Sequence, residues 1–452
     1  MDKYISLIRE KAAASESPPL ACVTTYGCAL NFSDGEKIKG LLCEMGYGLT
    51  ESHEAADVII LNTCAVRGSA ENRVFGNLGY LKRQKEERPH VIIGLCGCMA
   101  GQEHVQEKIR ASYRHVDIMF STSALGEFPR LLHEKISGGG YAFDTADYGG
   151  LSEGLSAARD SGFKALVPIM YGCDNFCTYC IVPYVRGRER SRDSATVIDE
   201  VRQLVSDGYK EITLLGQNVN SYSGGMTFPR LLRKLDEIDG DFIIRFLSSH
   251  PKDAGTELLD AVIECGKVAK HLHLPVQSGS DEVLAMMNRN YKVSDYIEKA
   301  DYLRSRIPGF SLGSDIIVGF PNETRAQFED TLKLVREMKF DSLYSFVFSP
   351  KQGTQAAQIV DTLSAKEKSE RITELIALQK SITEVNLKRF LGKTVRVLAE
   401  SEGRKDGFLQ GKSDEFIATD FKAPKNQIGN FFNVVIEKTR NWEMEGSIVF
   451  AP

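Results

Sequence analysis

Cys173, Cys177 and Cys180, in the run YGCDNFCTYC, are the residues whose type and spacing say most about chemistry. Three thiolates four and three residues apart can fold around one cubane iron–sulfur cluster and ligate three of its four irons. A ferredoxin or a structural zinc site would want a fourth ligand close by, yet the next cysteine is Cys265 and no histidine lies near the triplet. One iron is therefore left open, and an open metal position can chelate a substrate or cofactor and act on it. The competing reading, three unrelated thiols or an incomplete zinc knuckle, gives no reason for so tight a spacing.

Three further cysteines share a different signature. Cys28 follows LACVTTY, Cys64 follows VIILNT and Cys98 follows HVIIGLCG, each just past the end of a predicted strand. In a parallel sheet those ends lie on one edge, so three thiols far apart in sequence can meet at a shared metal site. Any one alone would more often be a core thiol. Cys22, Cys43, Cys96 and Cys265 lack this placement and are read as core or incidental thiols.

Arg186, Arg188, Arg190 and Arg192 alternate along RGRERSR, directly after the triplet. Guanidiniums pair bidentately with carboxylate or phosphate, which makes a cofactor and an RNA backbone both suitable partners; the alternative is a solvated basic loop. Gln217 and Asn218 in LLGQNVNSY and Gln277 in LPVQSGS fall at predicted strand ends. Amides there can bond ribose or adenine edges, or simply shape turns. His271 and His273 alternate on one strand face and read as packed or hydrogen-bonded side chains.

The elements that must position these residues fall into three units. Over 19–137, short apolar runs alternate with longer amphipathic ones, a βαβα rhythm that predicts a parallel α/β domain. Residues 138–162 break the rhythm with GGG, GG and Ser, and read as a linker. Over 163–387 the alternation resumes, with strands predicted at EITLLGQ, FIIRFLSS, KHLHLPV, FSLGSDIIVGF and LYSFVFS, which fits a full or partial β/α barrel. SAKEKSERITELIALQKSITEVNLKRFL is a long amphipathic helix closing it. Residues 388–452 change class: TVRVLAE, GFLQGKS, EFIATDF, FFNVVIEK and GSIVF predict a small all-β barrel.

The net charge of −5 excludes an evenly basic nucleic-acid binder, but residues 386–452 carry 11 Lys and Arg against 9 Asp and Glu. This comparatively basic barrel, with Lys393 and Arg396 at its start, suits loop or single-stranded RNA; charged β-edges also protect against aggregation. No apolar run approaches the roughly 18 residues of a membrane span. The N-terminus lacks the apolar core of a signal peptide, so a cytoplasmic protein with reduced cysteines, and no membrane partner, is expected.

The pattern C-x-x-x-C-x-x-C resembles that of the radical S-adenosylmethionine superfamily. The order of a three-cysteine domain, a radical domain and a small barrel resembles the methylthiotransferase family over nearly the whole chain. Its motifs are matched by TYGCALN, NTCAVR and GCMA, and by LLGQNVNSY, HLHLPVQSGS and DIIVGFPNET. NTCAVRGSAENRVFGNLG and CDNFCTYCIVPYVRGRERSR look most like its MiaB-type branch, which modifies isopentenyladenosine beside the anticodon. The resemblance implies a partial β/α barrel followed by a TRAM-like RNA-binding barrel. It implies two 4Fe-4S clusters, on Cys173, Cys177 and Cys180 and on Cys28, Cys64 and Cys98. It also implies two molecules of S-adenosylmethionine, one methylating a cluster-held sulfur and one giving the radical that removes hydrogen from C2 of adenine. Tyr179, Arg188, Gln217 and Gln277 are the implied cofactor contacts, and Arg186, Arg190, Arg192, Lys393 and Arg396 the implied contacts to the tRNA anticodon stem-loop; an external electron donor is implied as well. Ala29, Leu30, Gly101, Lys351 and Gln355 depart from the family's usual residues. The rival readings are a methylthiotransferase for threonylcarbamoyladenosine or a ribosomal protein, and a non-catalytic iron–sulfur RNA-binding protein.

Overall fold

The run VIILNT is buried at every position and forms β3 (Val58–Thr63), near the centre of a six-stranded sheet. A strand covered on both faces reads as a continuous apolar run. β1 (Leu20–Thr25) and β4 (Ile92–Gly97) flank it; β2 (Gly48–Leu49) lies outside β1, and β5 (Ile118–Phe120) and β6 (Ala142–Asp144) lie outside β4. Every pair is parallel, with Thr25 beside Asn62 and Thr63 beside Gly97, so the strands end along one edge. Helices cover both faces, Ile38, Leu41 and Phe128 packing on one and Val74, Leu78 and Ile109 on the other. The computed structural model describes residues 1–66, 68–146, 148 and 153–449.

The stretch 138–162 is not a bare linker. Its AFD run supplies β6, whose Ala142 joins the core. Ala158 N–H donates to Glu36 O at 2.9 Å and Arg159 Nη1 donates to the Glu36 carboxylate at 3.1 Å, fastening the chain to the helix Ala29–Glu44. Residues 147 and 149–152 of this stretch, and Arg67 of the NTCAVR motif, lie outside the described residues.

Six parallel strands follow in chain order: β7 (Lys164–Pro168), then, after the short antiparallel pair β8 (Met170–Tyr171) and β9 (Arg190–Ser191), β10 (Glu211–Leu215), β11 (Ile243–Phe246), β12 (His271–His273), β13 (Ser311–Val318) and β14 (Ser342–Val347). β7, β10 and β11 form one sheet and β12, β13 and β14 another, and a parallel bridge from Ile244 to Val268 joins them. The result is a partial barrel with helices outside. Along β10, Ile212 and Leu214 pack under the helices while the alternate residues face inward. The predicted long helix spans Ala365–Leu387 and opens with a capping box between Ser364 and Glu367.

The C-terminal strands β15 (Thr394–Glu402), β16 (Phe408–Ser413), β17 (Ala418–Lys422), β18 (Phe431–Arg440) and β19 (Glu443–Ile448) close into a barrel around Val397, Leu409, Phe421 and Val434. It docks at the N-terminal ends of the strands of the partial barrel. Arg245, buried and paired with Glu211 at 2.7 Å, donates to Ser413 O at 2.8 Å, and the His271 ring stacks on Phe416 at 4.9 Å. Among the described residues, no helix is long and apolar enough to cross a membrane.

Candidate iron–sulfur active site

The ends of β1, β3 and β4 are adjacent, and Cys28, Cys64 and Cys98 leave them side by side. Cys28 precedes the helix Ala29–Glu44, Cys64 follows Thr63 directly, and Cys98 opens a 3₁₀ turn. Asn31, one helical turn past Cys28, ties the edge together. Its Nδ2 donates to Tyr26 O at 2.9 Å and to Thr63 O at 2.7 Å, while its Oδ1 accepts from the thiols of Cys98 and Cys28 at 3.6 and 3.9 Å. Gly27 sits at φ +115°, and a Cβ there would run into the Cys64 side chain, 2.8 Å from Sγ. Gly27→Ala is thus expected to displace Cys64 and to cost about 1–3 kcal/mol of strain. Iron per chain and the unfolding midpoint should both fall; a variant that keeps both contradicts the assigned packing.

The second triplet lies on the loop after β8. Gly172, at φ +76°, has no room for a Cβ against Arg188 O, and this close approach turns the chain into Cys173. Asn175 Nδ2 donates to Cys173 Sγ at 3.5 Å, and Thr178 N–H donates to Met287 O at 3.1 Å. Arg289, buried, donates through Nη1 to Cys177 Sγ at 3.7 Å and to Tyr179 Oη at 3.5 Å, and through Nη2 to Pro275 O at 2.6 Å.

The two triplets border one domain interface. The short helix Val182–Arg186 follows Cys180, and Ile181 and Val185 pack against Ala65 and Cys98. Arg186 then crosses into the first domain: Nε donates to Cys98 Sγ at 3.0 Å, and Nη2 to Asn31 Oδ1 at 2.6 Å and to Asp34 Oδ2 at 2.7 Å. Burial pushes the Cys98 thiol up to about 12, with Arg186 opposing and Cys28 and Cys64 reinforcing the rise. Burial does the same to Cys180, helped by Cys177. These thiols must shed protons to become ligands, so loading them releases protons. Among the described residues no three His, Cys, Asp or Glu side chains are set closely enough to hold a single metal ion. A cubane is larger than one ion and is held by thiolates that are further apart.

A cluster of partnerless polar atoms lies beyond the ends of β10 and β11. Gln217 Oε1, Asn218 Oδ1, Asn220 Oδ1, Ser249 Oγ and His250 Nε2 are buried without a hydrogen bond. His250 Nδ1 accepts from Lys252 N–H at 3.2 Å, and burial, then Arg289 and Lys252, push the imidazole down to about 2 and keep the ring neutral. The proton is therefore on Nε2, an unused donor. Each unmet group costs about 1–3 kcal/mol, which a polar ligand such as the amino-acid and ribose parts of S-adenosylmethionine would offset. Gln277 lies across the barrel at φ +71°, its main chain bridging to β13.

The arginine run does not form one basic face. Arg186 and Arg192 are buried; Arg192 pairs with Glu153 at 3.0 Å and Glu200 at 2.8 Å and donates to Pro168 O at 2.6 Å. Their charges are spent inside the protein and do not face an RNA surface. Arg190 is half-buried and donates to Arg186 O at 3.0 Å. Arg188 is exposed, paired with Asp174 at 3.1 Å and lying over the Phe176 ring. Lys393 is exposed, whereas Arg396 is half-buried over the Phe431 ring and pairs with Asp241.

Most departures from the family's residues have a visible setting. Ala29 and Leu30 pack with Leu166, Leu215 and Leu247, forming an apolar wall between the first domain and the barrel interior. Gly101 lies against Val185, where an added Cβ would make ordinary contact at 3.7 Å. Burial pushes the Lys351 ammonium down, with the charges of Glu71 and Cys64 opposing.

Asn31, Asp34, His250 and Arg289 join the site without having been singled out by sequence reasoning. Asn31 stands three residues after Cys28 and Asp34 three after Asn31, helical-neighbour spacings that could have flagged them. Nothing in the sequence links Arg289 to Cys177, 112 residues away.

Comparison with known proteins gives the family. The Radical SAM superfamily matches residues 167–335, and the group described as Uncharacterized protein family UPF0004 matches residues 21–121. A tRNA-2-methylthio-N(6)-dimethylallyladenosine synthase from Acetivibrio thermocellus is 43% identical over 99% of this chain and 95% of its own length. That of Caldicellulosiruptor saccharolyticus is 45% identical over 93% and 90%. Among solved structures, the radical S-adenosylmethionine methyltransferase TsrM from Kitasatospora setae matches with a TM-score of 0.56 over 75% of each chain, at 13% identity, a likeness of fold alone. Identity of this level over nearly the full length places the chain in the tRNA-2-methylthio-N(6)-dimethylallyladenosine synthase family of radical S-adenosylmethionine methylthiotransferases.

Proposed function

We propose that the chain holds one 4Fe-4S cluster on Cys173, Cys177 and Cys180 and an auxiliary one on Cys28, Cys64 and Cys98. With two molecules of S-adenosylmethionine it adds a methylthio group to C2 of N6-isopentenyladenosine beside the anticodon. Family membership already makes it a radical enzyme that uses iron–sulfur and S-adenosylmethionine to methylthiolate tRNA. The observation that carries the finer reading is the bond from Arg186 to Cys98, which joins the loop of one triplet to a thiol of the other. Two cluster sites bordering one domain interface meet the demand for proximity between a sulfur donor and an activated carbon.

When bound, the clusters and cofactor supply the one-electron chemistry at C2 and present the sulfur. The chain's own residues bind, orient and exclude water. Gln217, with His250 and its partnerless neighbours, is assigned to the polar parts of the cofactor, and Tyr179, Arg188 and Gln277 to its remainder. Leu166, Leu215 and Leu247, backed by Ala29 and Leu30, make an apolar wall that suits the isopentenyl group. Lys393, exposed, is the leading phosphate contact, with Arg190 and Arg396 at half-buried margins. The functional units are 19–137, 163–387 and 388–452, the reductant comes from an external electron donor, and the enzyme works in the cytoplasm.

An anticodon stem-loop bearing isopentenyladenosine tests the reading against the same loop with unmodified adenosine. The first should be methylthiolated at C2 at least tenfold faster, because an unfilled apolar pocket forgoes about 25 cal/mol per Å². Equal rates would remove the prenyl-reading part. Reaction with neither, while 5′-deoxyadenosine still forms, would favour a threonylcarbamoyladenosine or ribosomal-protein substrate. No 5′-deoxyadenosine from the fully loaded protein would favour a non-catalytic iron–sulfur RNA binder.

A further inference from the structure

Arg186 belongs to the radical domain by sequence, yet every side-chain hydrogen bond described for it goes to the first domain: Cys98, Asn31 and Asp34. Its side chain and that of Asp34 are only 4% and 5% exposed. Placing a buried charge there is costly unless it is paired, and Asp34 at 2.7 Å supplies the partner. A salt bridge to Asp34 alone would satisfy the charge; the additional Nε–H···S bond at 3.0 Å singles out the sulfur. Arg289 holds a comparable relation to Cys177, but at 3.7 Å and from within its own domain.

Hydrogen bonds to the sulfurs and nearby charge are among the levers that set an iron–sulfur potential. A donor and a positive charge at a ligand sulfur favour the reduced, more negative cluster. Resting on the auxiliary cluster proposed above, we propose that Arg186 is a positioning residue that raises the reduction potential of that cluster, and that it does so only while the two domains are docked. Ile181 and Val185, which pack on Cys98 from the same helix and its entry, keep water from competing for the sulfur. Asp34 acts in the opposite sense, its carboxylate offsetting part of the guanidinium charge.

Potentiometric titration of the full-length, anaerobically reconstituted holoprotein, followed by electron paramagnetic resonance, tests this in Arg186→Gln, Arg186→Lys and Asp34→Asn. Arg186→Gln should lower the auxiliary midpoint enough to change the reduced-to-oxidised ratio at fixed potential by tenfold, about 59 mV for one electron. Arg186→Lys should recover part of that, and Asp34→Asn should move the midpoint upward. The radical-site midpoint should move less in all three. A merely structural role would lower iron content or the unfolding midpoint without opposite shifts from the two charges. Full iron with an unmoved auxiliary midpoint in Arg186→Gln and Asp34→Asn overturns the proposal. If Arg186→Gln does not assemble, an unmoved midpoint in Arg186→Lys and Asp34→Asn does the same. Failure of the underlying cluster reading is separately visible, as unchanged iron when Cys28, Cys64 and Cys98 are all replaced.

Discussion

Replacing Cys177 with Ala should take 5′-deoxyadenosine formation down to the enzyme-free background. The thiol is buried at the centre of its loop and carries the Arg289 contact, so no other side chain can swing into its place. With two thiolates left, a cubane loses one of its three protein anchors, and about four irons per chain should go with it. Arg289 would also lose its sulfur partner while keeping Pro275 O and Tyr291, which predicts a folded protein with an intact circular dichroism spectrum. The measurement is an anaerobic cleavage assay beside iron and sulfide counts. Ordinary cleavage by this variant would sink the assignment of the radical site.

Replacing Cys28, Cys64 and Cys98 together should separate the two chemistries. Iron should fall by about four per chain, and methylthio transfer should disappear, yet reductive cleavage of S-adenosylmethionine should persist, because Cys173, Cys177 and Cys180 are untouched. Arg186 keeps Asp34 at 2.7 Å and Asn31 at 2.6 Å after Cys98 is gone, so its charge stays paired and the domains stay docked. Losing one charge-assisted bond costs about 1.5–3 kcal/mol, within what a folded domain tolerates. Product analysis on the prenylated stem-loop, with 5′-deoxyadenosine counted in the same reaction, reads both outcomes. Unchanged iron, or continued methylthiolation, would show that these thiols are not ligands.

Much of the architecture is legible in the sequence because the same periodicity that buries a strand also places its last residue. VIILNT has to be a covered strand, and that fixes Cys64 at the edge where Cys28 and Cys98 also emerge. The long helix and the five C-terminal strands follow from pattern in the same way. β7 is harder to read, since KALVP is short and ends in proline. β6 hides in a glycine-rich stretch because three residues at a sheet edge need little hydrophobicity. The arginine run misleads for a definite reason. Alternation implies a common face only in an unbroken strand, and Gly187, at φ +75°, turns the chain between Arg186 and Arg188. Arg186 therefore ends a helix pointing inward, Arg188 faces water, and Arg192 enters the next layer. Pairings such as Arg289 with Cys177 depend on tertiary closure, which no local pattern encodes.

The docking of the small barrel has a consequence for how such a chain can be rearranged. A domain whose only task is to grip RNA could be grafted from one enzyme to another on any flexible tether. Here the Ser413–Phe416 turn works as a stopper in the floor of the catalytic barrel: Ser413 O takes a proton-donor bond from buried Arg245, and Phe416 roofs His271. Withdrawing it would wet the Arg245–Glu211 pair and strip one of its acceptors, the kind of change that weakens a buried ion pair severely. A chimera with a foreign barrel would need this turn transplanted with it. On the RNA-contacting role proposed for the barrel, altered RNA preference should be sought on its outward strands, leaving the stopper as inherited.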